Sequence, residues 1–265
     1  MNWTPRLNTV CSTTTDSKIA RRTAAADGGS TMSRSLLVAA AALLLPLTAA
    51  GADCIILLHG LSRTSDSMEE LESGLLDAGY AVVNVDYPSR HHSIPELAPL
   101  AVQEGIDGCA DAERVHFVTH SLGGILVRLY LEDNSVNRLG RVVMLAPPNH
   151  GSEIVDSLRG IPGYSLINGP AGSQLGTGEE DIPAQLQPVN YDVGVIAGTR
   201  SVYPVLSQIL PSPDDGIVSV ESTKFNGMKD FLLVVRTHTF IMNAPEVLEQ
   251  SISFIETGRF IHPDP

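Results

Sequence analysis

From Cys54 onward the chain alternates short continuous apolar runs with longer segments in which apolar residues recur every three or four positions. The runs are "CIILLHG" (54–60), "AVVNVDYP" (81–88), "VHFVT" (115–119), "RVVMLAPP" (141–148), "VGVIAG" (193–198) and "FLLVV" (231–235). Unbroken rather than alternating hydrophobicity is expected of strands covered on both faces, as in a parallel sheet. The periodic segments predict helices over 67–78, 94–110, 122–132 and 244–255, the first closed by Gly79 as a C-terminal cap. Through residue 148 the order is βαβαβαβ with short connections. This predicts an α/β fold: one domain, a mostly parallel sheet, and helices on both faces.

The rhythm loosens after Gly151. Residues 160–178 hold six glycines together with Pro162 and Pro170, a composition that excludes a long helix and predicts an irregular or movable stretch. No internal repeat and no second core are visible, so residues 53–265 are read as a single domain.

The amino-terminal part follows different rules. Residues 1–31 are rich in Thr, Ala, Ser and Gly without apolar periodicity and are read as a disordered or upstream extension before Met32. Residues 32–52 then give a basic Arg34, an apolar stretch over 36–47 and a small-residue A-x-A site at Ala50-Gly51-Ala52, the pattern of a signal peptide. The apolar stretch is interrupted by Pro46 and is shorter than the roughly 20 residues of a spanning helix, so no membrane span is expected in the mature form. Export to the periplasm or beyond follows from that reading. Losing residues 1–52 removes five basic and two acidic side chains, which leaves 12 against 28 and a formal charge of −16, from −13 for the whole chain. Such an acidic surface repels nucleic acid and anionic lipid. Of the chain's three cysteines, Cys54 opens the first strand and Cys109 ends the second helix. In an oxidising compartment the two are expected to form a disulfide. No C-x-x-C or clustered His spacing accompanies them, and neither a metal site nor a cofactor is expected.

The candidate chemistry centres on "VTHSLGG" at 118–124, where Ser121 lies between a predicted strand and a predicted helix. A hydroxyl is a poor nucleophile at neutral pH, so a catalytic serine needs a general base, an acid to orient that base, and donors for the developing oxyanion. The pattern is a G-x-S-x-G elbow with Thr119 in place of the first glycine, and S-x-G occurs only here. In this architecture the partners follow in the order Ser, acid, His. His262 lies among the last residues, whereas His238 follows the last strand directly, which makes His238 the expected base. The acid belongs between residues 198 and 238. Asp230 falls at the wrong end of its strand, leaving Asp215 first and its neighbour Asp214 in reserve within "PSPDDGIVSV". The N–H of Leu122 is the expected first oxyanion donor and the N–H of Leu61, after His59-Gly60, the second. His150 precedes the acid in the chain and is read as part of the wall.

With these residues identified, the chain resembles the α/β-hydrolase superfamily, within it the small bacterial lipase-like and esterase-like proteins. The likeness rests on His59-Gly60, "THSLGG", "APPNHGS" (146–152), "DDGIVSVESTK" and "THTF" in that order, over about residues 54–260. The resemblance implies hydrolysis of neutral small-molecule or lipid esters through an acyl-enzyme, with residues 151–190 as a short cap. A thioesterase or acyltransferase would use the same groups, and a catalytically silent binding protein of the same fold is the alternative from a different class.

Overall fold

The computed structural model describes residues 52–263. Six strands, β1 (Cys54–Leu58), β2 (Ala81–Val85), β3 (Val115–His120), β4 (Leu139–Leu145), β5 (Val193–Gly198) and β6 (Asp230–Val234), form one sheet in the order β2-β1-β3-β4-β5-β6. Every neighbouring pair is parallel. The side chains of β1 alternate between the two faces, and both faces are apolar because helices cover both. Cys54, Ile56 and Leu58 join Phe117, Met144 and Val195 beneath α2 (Ile94–Gly108) and α3 (Leu122–Asp133). Ile55 and Leu57 join Val118, Leu145 and Ile196 beneath α1 (Glu69–Asp77) and α7 (Pro245–Thr257).

Element ends depart from the hydropathy by a few residues, for local reasons. The apolar run 141–148 stops as a strand at Leu145, because Ala146 has a positive φ of 48° and two prolines follow. The first helix is preceded by a 3₁₀ turn, Ser65–Met68, and α7 starts at Pro245 and is ended by Gly258 at φ 76°. In α2, Ser93 and Glu96 form a reciprocal capping box that fixes the start of the helix. At its other end Cys109 lies with its Cα 5.8 Å from that of Cys54, and the two are joined by a disulfide.

Residues 151–190 are more regular than their composition predicts. They contain three short helices, α4 (Glu153–Leu158), α5 (Tyr164–Ser173) and α6 (Ile182–Gln185). Glycines with positive φ break the chain between and within them: Gly151 (84°), Gly163 (94°) and Gly169 (67°), the last bending α5 at its centre. A Cβ on Gly169 would come within 1.9 Å of the Arg90 carbonyl oxygen, so the bend also seats α5 against the loop after β2. Arg159 donates to both carboxylate oxygens of Asp181 (2.7 and 2.9 Å), and Thr177 is held by Asp156. These bonds tie α4 to the start of α6. No helix among the described residues is long and apolar enough to cross a membrane. The proposed leader and the extension before it lie outside the described residues.

Candidate active site

In a parallel sheet all carboxyl ends lie at one edge, and the loops that leave it converge there. Ser121 leaves β3, the 3₁₀ turn His238–Asn243 follows β6, and Asp215 lies in the loop after β5. Ser121 adopts φ 51° and ψ −117°, a conformation that costs on the order of 1–3 kcal/mol for a non-glycine residue. Its N–H donates to the carbonyl of Leu145 at 2.9 Å, which ties the turn to the end of β4. The crowding of this turn is measurable. A Cβ on Gly123 would sit 2.6 Å from the Leu58 carbonyl oxygen and 3.1 Å from that of His59, both backbone atoms that cannot yield. A Cβ on Gly124 would sit 3.3 Å from Thr119 Oγ1.

Around the serine runs a buried hydrogen-bond series. His238 Nε2 lies 3.0 Å from Ser121 Oγ, and His238 Nδ1 lies 2.7 Å from Asp215 Oδ2. The other carboxylate oxygen of Asp215 accepts from the N–H groups of Ile217 (3.0 Å) and Val218 (2.8 Å). An ionised carboxylate can only accept, so the proton of the neutral imidazole sits on Nδ1. Nε2 is thereby left to accept from the serine hydroxyl. The backbone contributes as well, since the N–H of His238 donates to the carbonyl of Asp215 at 3.0 Å. Gly198 permits the approach: a Cβ there would lie 2.9 Å from Asp215 Cβ and 2.5 Å from the Arg236 carbonyl oxygen.

Asp214 points elsewhere, its Oδ1 accepting from Ser207 Oγ and the Gly216 N–H at 2.8 Å each. His262 pairs with Asp230 at 2.9 Å, and Asp230 opens β6 at the amino edge of the sheet. His150 is exposed, and its N–H donates to the Ser222 carbonyl.

The loop after β1 carries the second expected oxyanion donor. His59 is fully buried; its Nδ1–H donates to the Gly60 carbonyl at 2.8 Å, and its Nε2 accepts from the Tyr87 N–H at 3.3 Å. Because Nε2 accepts there, the Asp86 carboxylate 3.7 Å away is a neighbour rather than a hydrogen-bond partner. The Tyr87 hydroxyl donates to the His59 carbonyl, and the two rings stack at 4.0 Å and 9°. Burial holds His59 below its ordinary pKa, so this bracket is uncharged. Gly60 then brings the loop close to the serine, since a Cβ on it would lie 3.3 Å from Ser121 Cβ. Among the described residues neither the Leu61 nor the Leu122 N–H donates to a protein acceptor.

Tyr87 and His120 were not singled out by the sequence pattern. His120 is 2% exposed, with Nε2 3.0 Å from the His238 carbonyl oxygen. A histidine at the end of a wholly buried strand, directly before the elbow serine, is the signal that marks it. Among the described residues no group of three His, Cys, Asp or Glu side chains is arranged to hold a metal ion.

The architecture has wide company. The chain is similar to the mature form of the Bacillus licheniformis lipase BlEst2 (19% identity, TM-score 0.63, 80% of this chain and 94% of that one). It is also similar to the metagenomic carboxyl esterase MGS0156 (18%, TM-score 0.56, 79% and 76%). Phospholipase PlaB from Legionella pneumophila matches at 20% identity and a TM-score of 0.57, over 79% of this chain and 57% of that one. At these identities the likeness is one of fold. A comparison with curated proteins finds no match. The family model described as "Alpha/beta hydrolase family" matches residues 55–224, more than half of the 265. With that match, a parallel six-stranded sheet and a strand-to-helix turn built around Ser121, the chain belongs to the α/β-hydrolase family.

Proposed function

We propose that this protein is a serine carboxylic ester hydrolase acting on neutral acyl esters through an acyl-enzyme. The observation that carries the reading is the unbroken buried series from Asp215 through His238 to Ser121, with contacts of 2.7 and 3.0 Å. Ser121 Oγ attacks the ester carbonyl as His238 Nε2 takes its proton, and the imidazolium that forms is stabilised by the Asp215 carboxylate. The leaving alcohol receives that proton. Water then adds to the acyl carbonyl as it gives a proton to the same nitrogen, and on collapse the bond to Ser121 Oγ breaks, that proton returns to Oγ and the acid leaves. The oxyanion of each tetrahedral intermediate is received by the Leu122 and Leu61 N–H groups. Losing one such donor costs about 10²–10³ in turnover.

Residues 151–190 form a short cap on this reading, with Gly172 so near the donor loop that a Cβ would lie 3.0 Å from Leu61 Cδ2. A cap built of helices no longer than ten residues favours short to medium acyl chains. The Cys54–Cys109 disulfide is compatible with export, and the proposal includes removal of residues 32–52 as a signal peptide, with residues 1–31 as an upstream extension.

A fluorophosphonate probe tests the reading directly. Labelling of the wild type and not of Ser121→Ala is expected, whereas a folded wild type that takes no label would make this a binding protein. A nitrophenyl ester series is expected to peak at short to medium chains, and the corresponding thioesters and acyl acceptors, run in parallel, separate hydrolysis of esters from thioesterase or transferase activity.

A further inference from the structure

We propose that His120 is a positioning residue: its ring grips the His238 carbonyl and so sets where the His238 imidazole stands relative to Ser121. This rests on the ester-hydrolase reading. A carbonyl oxygen can only accept, so the 3.0 Å contact requires the proton of His120 to be on Nε2. Nδ1 is therefore a bare acceptor, and it is buried without a hydrogen-bond partner among the described residues. It faces the donor loop, where a Cβ on Gly60 would lie 2.7 Å from it. Filling space does not require an imidazole here, since a buried unpaired acceptor disfavours the folded state.

What the imidazole adds is a tether. His120 and Ser121 are adjacent in the chain, whereas His238 arrives from 118 residues beyond His120. The His238 backbone is held at both ends, its N–H by the Asp215 carbonyl and its C=O by His120. The contact thus links the strand that carries the nucleophile to the loop that carries the base, without passing through the reacting atoms. The two rings lie 4.8 Å apart and tilted by 50°, so a charged His120 would oppose the imidazolium that forms on His238. Burial prevents this by holding His120 well below its ordinary pKa, with the neighbouring His238, Arg63 and His59 adding to the effect.

The test compares His120→Leu, which removes the donor, with His120→Gln, whose amide nitrogen reaches about as far as imidazole Nε2. Turnover of a soluble nitrophenyl ester, thermal midpoint and fluorophosphonate labelling rate are measured for each. A displacement of about 1 Å at the base costs about 10²-fold. His120→Leu is therefore expected to lose about 10- to 100-fold in kcat with KM nearly unchanged, and His120→Gln to recover most of it. Folded His120→Leu with wild-type kcat would overturn the proposal, as would equal losses in both variants. Should the leucine variant not fold, nitrogen NMR of the wild-type histidines decides: a neutral Nε2–H ring at His120 is expected, and an Nδ1–H or charged ring overturns the tether. Failure of the wild type to label or turn over any ester would instead sink the hydrolase reading, and the ring state of His120 would still be readable.

Discussion

Replacing Asp215 by Asn separates the orienting acid from its neighbour more sharply than any deletion. The change keeps the side chain's volume. Asp215 Oδ1 accepts from the fixed N–H groups of Ile217 and Val218, so the amide oxygen of Asn must stay on that side. Its NH₂ group then takes the place of Oδ2, 2.7 Å from His238 Nδ1. Two donors cannot face each other, and the imidazole answers by moving its proton to Nε2. In that tautomer Nε2 presents a hydrogen to Ser121 Oγ and has no lone pair to receive one. The hydroxyl is left with its base in the wrong state.

The expected loss is about 10⁴ in kcat, or roughly 5 kcal/mol of transition-state stabilisation, with little change in fold. Asp214→Asn is the control, since Asp214 Oδ1 serves only Ser207 and Gly216 and can remain an amide oxygen. It should stay within about threefold of wild type. Initial rates on a soluble nitrophenyl ester, with thermal midpoints to show that each variant is folded, are the assay. An Asp215→Asn enzyme keeping more than about a tenth of its activity, or an Asp214→Asn enzyme falling equally far, would refute the assignment of roles.

Removing the disulfide as Cys54→Ala with Cys109→Ala frees a crosslink spanning 55 positions, for which loop-closure entropy gives about 4 kcal/mol. Calorimetry should show a midpoint lower by about 8–16 °C; an unchanged midpoint would mean the bridge constrains nothing. Gly123→Ala forces a methyl against the Leu58 and His59 carbonyls, and should lower stability by about 1–3 kcal/mol in denaturant titration while reducing labelling of Ser121. His59, His116 and His120 are each held by burial below the ordinary 6.5, so the unfolded chain binds protons that the folded one refuses. Their contribution is complete above pH 6.5 and is lost as pH falls, by up to about 1.4 kcal/mol per pH unit for each; a flat urea midpoint through this range would contradict it.

The strands were legible because burial on both faces leaves an unbroken apolar run, and 54–58 is apolar at every position whichever face each residue serves. Where strands stop was not, because termination depends on dihedral angles. Hydropathy carries β4 through to Pro148, whereas the positive φ of Ala146 ends it at Leu145. The same holds for residues 151–190: glycines that forbid one long helix also permit several short ones, and only the backbone reveals which occurs. At the site, Ser121 and His238 were legible from order along the chain. The order of Asp215 before Asp214 rests in the sequence only on the glycine that follows Asp215, whereas in the fold the Ile217 and Val218 amides decide which carboxylate faces inward. His120 and Tyr87 escaped because their contribution lies in which ring nitrogen carries a proton or which carbonyl a hydroxyl meets.

The threonine in the elbow shows why a motif is better read as distances than as letters. The two small positions flanking the serine are not equivalent. Gly123 faces the backbone of β1 at 2.6 Å, and nothing there can move aside for a Cβ. Thr119 is completely buried on β3, and its Oγ1 lies against the bare side of Gly124, where a Cβ would be 3.3 Å away. The second glycine of "LGG" thus supplies the room that the first glycine of the usual pattern would otherwise provide, and the turn at Ser121 keeps its strained φ of 51° with a larger residue two positions before it. Taken one position at a time, Thr119 is a departure from the pattern. Across the elbow the absence of a Cβ at Gly124 accommodates the Thr119 hydroxyl, and the close approach of Gly123 to β1 is kept.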